Sequence, residues 1–309
     1  MSGSPEDRAA AQVHAWAAEL GFQGAGIARV APPDPDGHLR AWLDRGYNAG
    51  LSYMAKKVAD REDVDRLVPG AKSVVALAMS YRREGPEPEP PLKVSRYAMA
   101  DDYHNMILKR SRRLGNRIKA TWPGTTVKAT VDTAPVLERA WAARAGVAWI
   151  GKSTMAISPR LGTYTFLSTL ITTVAMTPDE PLPDRCGSCT RCLDACPTQA
   201  FPAPYVLDAN KCITYWNVEH RGPFPEPPPE LHGWVAGCDV CQQVCPWNKF
   251  GVLTEERRFT PHPDMVRPDP AVFADPAAHD ALERTLLGTP LQRTGPDAVR
   301  RNARSILGR

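Results

Sequence analysis

All eight cysteines of this 309-residue chain lie between positions 186 and 245. The first four read Cys186-Gly-Ser-Cys189-Thr-Arg-Cys192-Leu-Asp-Ala-Cys196-Pro197, a C-x2-C-x2-C-x3-C-P run. The others are Cys212 and Cys238-Asp-Val-Cys241-Gln-Gln-Val-Cys245-Pro246. A [4Fe-4S] cluster takes four thiolates, so eight serve two clusters, and in two-cluster proteins with this run the cysteine before the proline ligates the other cluster. The spacing therefore predicts Cys186, Cys189, Cys192 and Cys245 for one cluster, and Cys196, Cys212, Cys238 and Cys241 for the second. Two four-cysteine zinc sites are the alternative that C-x2-C alone permits, but the triple spacing and the proline after both closing cysteines favour iron and sulfide. A disulfide framework fits less well, because the cysteines are clustered and no secretory segment precedes them.

The length allows two or three domains with real cores. The start, Met1-Ser-Gly-Ser-Pro-Glu-Asp, lacks the basic and apolar regions of a signal peptide, and no apolar stretch approaches a membrane span. A cytoplasmic protein is expected, since a reducing compartment suits thiolates that await iron. The net charge of +4 permits a polyanionic partner without requiring one.

A helix should open the chain, with Ser4 as its cap, Pro5 at its first position, and Val13, Trp16, Ala17 and Leu20 at helical spacing before Gly21. A strand over residues 24–30 and a helix carrying Leu39, Trp42 and Leu43 follow. Asp36-Gly37-His38 begins an Asp-x-His-x-x-Gly cobalt-ligand pattern, but Ala41 stands where glycine is needed, so His38 reads as part of a helix cap. Residues 73–79 form a continuous apolar run suited to a strand covered on both faces. Residues 84–91 read as an acidic, proline-rich loop. A long helix then presents Tyr103, Ile107, Ser111, Leu114 and Ile118 as its core stripe. Its other faces carry Lys109, Arg110, Arg112, Arg113, Arg117 and Lys119, either a solvated surface or a docking face for phosphates. The strand over residues 126–131 ends at Asp132-Thr133-Ala134-Pro135, where Thr133 should cap a new helix. Asp132 thus lies at a strand-to-helix junction, where α/β folds place ligands, or serves as a local turn residue. Residues 155–158 and 164–174 suggest a hairpin. A final helix over residues 297–307 leads to a basic end with Arg300, Arg301, Arg304 and Arg309.

Across nearly its whole length the chain resembles the epoxyqueuosine reductase family. The resemblance is carried by Gly50-Leu-Ser-Tyr53-Met54, Leu67-Val-Pro-Gly70, Ser95-Arg96-Tyr97-Ala98 and Asp102-Tyr103-His104. It continues through Val131-Asp132-Thr133, Glu138-Arg139, Trp149-Ile-Gly-Lys152, Glu219-His220-Arg221, Asn248-Lys249-Phe250 and Arg301-Asn302. It implies an α/β fold: a cobalamin- and substrate-binding α/β domain over residues 1–178, a ferredoxin-like domain with two [4Fe-4S] clusters over 179–255, and a helical tail over 256–309. It further implies base-off cobalamin with no protein histidine on cobalt, fed by an external low-potential electron donor, in a monomer that does not associate with membranes. The substrate would be epoxyqueuosine at the wobble position in the anticodon arm of the tRNAs for Tyr, His, Asn and Asp.

Reduction by two electrons and two protons would remove the epoxide oxygen. An opened epoxide leaves an alkoxide that needs a proton, which a carboxylic acid can give, and the family's proton donor falls on Asp132. Ser95, Arg139, Lys152, Ser153, Cys238 and Asp239 carry over to the corrin pocket. Lys109, Arg110, Arg112, Arg113, Arg300 and Arg301 become candidates for RNA phosphates. The chain departs from the family pattern at Met99-Ala100, usually Arg-Gly, at Ser153, usually asparagine, and at Ala134, usually glycine. A reductive dehalogenase-like enzyme would use the same cofactors, but those are usually exported behind a twin-arginine signal. A plain two-cluster electron carrier would not need the roughly 180 residues that precede Cys186.

Overall fold

Every residue from Ser73 to Ser80 is buried, and the architecture follows from what covers that strand. The computed structural model describes residues 3–85 and 87–308; Arg309, expected at the basic end, lies outside them. The described residues form strands β1 (Gly24–Arg29), β2 (Ser73–Ser80), β3 (Lys93–Val94), β4 (Val127–Thr130), β5 (Trp149–Ile150), β6 (Ala156–Ile157), β7 (Thr165–Thr172) and β8 (Trp234–Ala236). Four of them make the central sheet in the order β1-β2-β7-β4.

Alternate residues of β2 point to opposite faces, as strand geometry requires. Val75, Leu77 and Met79 join a core with Val13 and Ala17 of the Pro5–Glu19 helix and Ile107, Leu114 and Ile118 of the Tyr103–Thr121 helix. Val74, Ala76 and Ala78 join the other core, with Trp141 and Ala142 of the Glu138–Arg144 helix. Helices on both faces explain the unbroken apolar run. The first helix begins as its sequence indicates, with Ser4 and Asp7 exchanging the reciprocal hydrogen bonds of a capping box.

Each pairing in this sheet is antiparallel. The fold mixes helix and sheet, and its central sheet is antiparallel, because burial on both faces marks a covered strand and not its direction. β7 pairs with β2 and β4, so the hairpin expected with residues 155–158 is limited to a bridge between Ser158 and Gly162. Thr133 does not cap a helix. The next helix starts at Glu138, and residues 131–137 form a turn in which the Thr133 hydroxyl donates to the Val131 carbonyl. His38 opens a helix over His38–Asp44, and Asp34 satisfies its start, its carboxylate accepting from the N–H groups of His38 and Leu39.

The C-terminal segment is more than a tail. Met265, Phe273, Leu282, Leu286, Leu291 and Val299 pack with Leu92, Val94, Val235 and Ala236 into a third core. At its centre β3 pairs in parallel with β8, and Asn302 of the Pro296–Leu307 helix donates to the carbonyls of Asn217 and Val235. Residues 93–99 thus interlock the three regions that the sequence separates. No helix among the described residues is long and apolar enough to cross a membrane.

Candidate functional site

The cysteine region is built from tight turns and two short helices. Cys189 N–H donates to the Cys186 carbonyl, Cys192 lies in the Arg191–Asp194 helix, and Cys241 lies in the Val240–Gln243 helix. These helices pack together. Cys245 then reaches the first motif: the thiols whose charges act on it are Cys186, Cys192 and Cys189. Cys212 and Cys196 act on Cys238, while Cys238 and Cys212 act on Cys241. The fold thus brings thiols from both ends of the region near one another, with Cys192 also acting on Cys241.

All eight thiols are free of disulfides. Among the described residues no three His, Cys, Asp or Glu side chains close around a point that could hold one metal ion. Burial, reinforced by neighbouring thiolates, pushes Cys238 up to about 12 and Cys245 to about 11. Nearby backbone amides oppose this, those of Val240 at Cys238, Trp247 at Cys245, and Tyr215 and Thr214 at Cys212, while Ala200 N–H donates to the Cys196 sulfur at 3.3 Å. Buried thiols crowded together resist ionisation until cations lie among them, and amides aimed at sulfur are what bound thiolates accept. The donor set fits two iron–sulfur clusters.

Several residues expected at a corrin also contact the cysteine region. Lys152 Nζ donates to the carbonyls of Gly187 (2.6 Å) and Cys189 (3.1 Å). Ser153 is buried, and its hydroxyl lies near enough to Cys192 to favour the thiolate. Gly151 packs so closely that a Cβ there would meet Cys186 Sγ at 3.5 Å and collide with Ile157. Ser95 and Asp239 are both fully buried and hydrogen-bonded to each other, and Asp239 also accepts from Arg96 N–H at 2.7 Å. Together they fasten β3 to the turn that carries Cys238.

Asp132 leaves edge strand β4 with φ +55°, a left-handed conformation that aspartate tolerates better than most residues. Its N–H donates to both Glu138 carboxylate oxygens, at 3.0 and 3.1 Å. Its Oδ2 meets His104 Nε2 at 3.0 Å and accepts from the Tyr103 hydroxyl at 3.2 Å. The other ring nitrogen, Nδ1, lies 2.6 Å from Asp102 Oδ1. Asp102 caps the Tyr103–Thr121 helix, and Tyr103 stacks on Phe166 with ring centroids 3.9 Å apart. Helix start and core aromatic thus fix the imidazole between two carboxylates.

Burial opposes a charged His104, but the hydrogen bonds to Asp102 and Asp132 prevail and raise it to about 9. The same contact with His104 holds Asp132 below its ordinary value. At neutral pH the pair carries one proton, on the imidazole. Glu138 is pushed up to about 8, first by burial and then by the Asp132 charge.

Asp132 is 60% exposed despite these partners. Arg293, whose charge acts on Asp132, pairs with Glu219 at 2.6 Å. Tyr53 is 49% exposed, yet burial first, then the charges of Glu219 and Asp132, raise its hydroxyl to about 12. Arg139 is also exposed, while burial lowers its guanidinium below the usual range. Tyr53, Asp132, Arg139 and the Glu219–Arg293 pair thus feel one another's charge while Asp132, Tyr53 and Arg139 remain open to water. Glu219 ends the Tyr215–Glu219 turn of helix that begins just after Cys212, so one short element joins these residues to the cysteine region.

Sequence reasoning gives no chemical role to His104, Glu138, Glu219 or Arg293, and reads Tyr103 only as a core residue. The only local signal is the triplet Asp102-Tyr103-His104 at a helix start. The basic candidates divide. Lys109, Arg112 and Arg113 are exposed, whereas Arg110 is paired with Glu256. Arg300 is buried and bonded to the Asp275 carbonyl and Asp297. Arg301 donates to the carbonyls of Trp216, His220 and Gly222 and lies over Phe224. These last two guanidiniums secure the C-terminal helix and are not free for phosphate, contrary to the sequence expectation.

Comparison with known proteins bears on both regions. Residues 185–248 match the model described as 4Fe-4S double cluster binding domain, and residues 61–133 match Epoxyqueuosine reductase QueG, DUF1730. An epoxyqueuosine reductase of Gloeobacter violaceus is 40% identical over 97% of this chain and 96% of its own length. One of Pseudomonas aeruginosa is 40% identical over 99% of this chain and 87% of its own. A crystal structure of epoxyqueuosine reductase with an epoxyqueuosine-modified tRNA-Tyr stem loop superposes with a TM-score of 0.88, at 28% identity over 97% of this chain and 81% of that one. A Bacillus subtilis epoxyqueuosine reductase with its catalytic aspartate loop swung out of the active site gives 0.87 at 26% identity, covering 97% and 81%. A catabolic reductive dehalogenase gives 0.51 at 17% identity over 39% of its length, a likeness of fold alone.

Proposed function

The chain belongs to the epoxyqueuosine reductase family, and from that premise we propose how its residues reduce epoxyqueuosine to queuosine in tRNA. The reading rests above all on the link between the two thiol groups and the Asp132–His104 pair, through the segment from Cys212 to Glu219. Cys186, Cys189, Cys192 and Cys245 hold one [4Fe-4S] cluster; Cys196, Cys212, Cys238 and Cys241 hold the other. Asp132, Tyr53, Arg139 and the Glu219–Arg293 pair would line the site that holds cobalamin. When bound, the clusters would supply electrons one at a time and cobalamin the metal that reduces carbon.

The epoxide takes up two electrons and two protons, loses its oxygen as water and leaves an alkene. The protein must therefore protonate an oxygen that becomes an alkoxide. Asp132 Oδ1 has no hydrogen-bond partner among the described residues, while Oδ2 is held by His104 and Tyr103. The free oxygen faces the reacting one, and His104 stores the proton that passes through the carboxylate. Asp102 keeps the imidazole aligned while its charge changes. Glu138 fixes the Asp132 backbone, and the swung-out aspartate loop of the Bacillus subtilis relative suggests that this hold is released during turnover.

The RNA is the anticodon arm of the tRNAs for Tyr, His, Asn and Asp, in the cytoplasm, with Lys109, Arg112 and Arg113 on its phosphates. An anaerobic mixture of cluster-loaded protein, cobalamin, a strong reductant and an epoxyqueuosine stem-loop tests the reading. Loss of one oxygen from the nucleoside that depends on cobalamin is expected. Intact nucleoside with both cofactors bound would overturn it.

Two further results are expected. Because protonated His104 is the competent form, kcat should fall as pH rises through about 9, and His104→Gln should abolish that limb while lowering kcat at neutral pH by roughly 10²-fold. The stability that His104 gains from its carboxylates is fully present below its unfolded value near 6.5 and disappears through the same upper range. Reversing Arg112 and Arg113 to glutamate should weaken stem-loop binding and flatten its dependence on log salt by about 1 per lost phosphate contact. An unchanged slope would return that helix face to ordinary solvation.

A further inference from the structure

We propose that electrons enter beside Cys245, where a small acidic one-electron carrier protein docks on a basic-rimmed apolar surface. This rests on reading Cys186, Cys189, Cys192 and Cys245 as cluster ligands. A cavity of about 860 Å³ opens with Cys245 in its wall, and none of the residues around Asp132 lines it. It is therefore separate from the site where the RNA base must lie. A donor at the Asp132 side would compete with substrate, whereas one at Cys245 would not.

The surface has the chemistry of a transient redox contact. Five basic side chains line the cavity against three carboxylates. Arg96 is paired with Glu87, and Arg82 and Arg83 donate to the carbonyls of Gly251 and Glu256. Arg191 and Lys249 remain exposed, with no carboxylate pairing them among the described residues. Beside Lys249 lies the apolar component. Six large apolar side chains are exposed among the described residues, and three fall within positions 250–253: Phe250 (67%), Val252 (46%) and Leu253 (36%). That concentration in four positions exceeds scattered exposure. Phe250 packs against Trp247, two residues after Cys245, with centroids 5.9 Å apart. Electron-transfer partners use small contacts and rely on opposite charge to speed encounter. Free cations around an apolar patch call for carboxylates around an exposed redox centre.

The step balances simply. One electron leaves the reduced carrier and enters the oxidised cluster, and a second carrier repeats the transfer to complete the pair. No proton or bond changes hands at this surface.

The test compares cluster-loaded protein with its Arg191→Glu/Lys249→Glu variant, both of full iron content. A reduced acidic [2Fe-2S] ferredoxin serves as donor, and anaerobic loss of visible cluster absorbance reports the rate, without tRNA or cobalamin. Binding of the oxidised ferredoxin is measured by calorimetry in parallel. At low salt the variant should be reduced at least about 10-fold more slowly, with most of the salt dependence gone and binding weakened to match. Reduced methyl viologen, a small cation, should reduce both proteins at similar rates, and Phe250→Ser should slow only the ferredoxin. Ferredoxin rates and affinity equal to the unaltered protein would overturn the proposal, as would equal slowing with viologen, which would place the effect at the cluster. Failure of the underlying ligand reading is visible separately, as iron short of two clusters in the unaltered protein.

Discussion

Replacing Asp132 with asparagine should lower kcat by roughly 10²–10⁴-fold, the range lost when a positioned acid is removed, while iron content and cobalamin uptake stay unchanged. Asparagine is the informative substitution for two reasons. It tolerates the left-handed backbone at φ +55°, where alanine would add strain, and its side chain can still accept from Tyr103 and His104. What it cannot do is carry the proton to the alkoxide. It also removes a negative charge from His104 Nε2, one of the contacts that raise that imidazole. The variant should therefore show His104 titrating below about 9, by NMR, with Asp102 alone supporting the charged ring. Turnover retained within a few-fold would remove Asp132 from the proton path. Lost turnover with unshifted His104 would keep the carboxylate but break its link to the imidazole.

Legibility in the sequence depended on whether a signal is local. The cysteines are legible because ligand spacing within a turn is fixed by chain geometry, and the opening helix because its cap lies three residues from its partner. The run at residues 73–79 reveals burial on both faces, but antiparallel and parallel strands look alike once helices cover both sides. Direction is set by chain return, which composition does not record. The same limit applies to Asp132: its junction is visible, but its pairing with His104 spans 28 positions and arises from β4 and the Tyr103–Thr121 helix packing together. Arg300 and Arg301 show the opposite error. Their charges suggest phosphate, yet backbone carbonyls of the folded C-terminal unit have already taken them. A basic side chain becomes a partner surface only after the fold has used what it needs, which is why Arg112, Arg113, Lys249 and Arg191 remain candidates and the C-terminal pair does not.

The crossed assignment of cysteines makes a prediction that neither motif makes alone. Cys245→Ala should remove the cluster held by Cys186, Cys189 and Cys192, some fifty positions upstream, and spare the one held by its sequence neighbours Cys238 and Cys241. Cys196→Ala should do the converse. In each variant iron should fall by roughly half. Spectra of the reduced protein should keep one cluster signal, a different one in each. Turnover should fall by at least about 10³-fold in both, because each thiol group lies on the single electron route from the surface at Cys245 to the site at Asp132. The physical ground is the neighbourhood of Cys245, whose thiol feels Cys186, Cys192 and Cys189, while Cys238 feels Cys212 and Cys196. If the Cys245 variant instead lost the cluster of Cys238 and Cys241, each motif would be closing on itself. The electron path would then run through a different order of centres, and the entry surface would have to be sought beside Cys196.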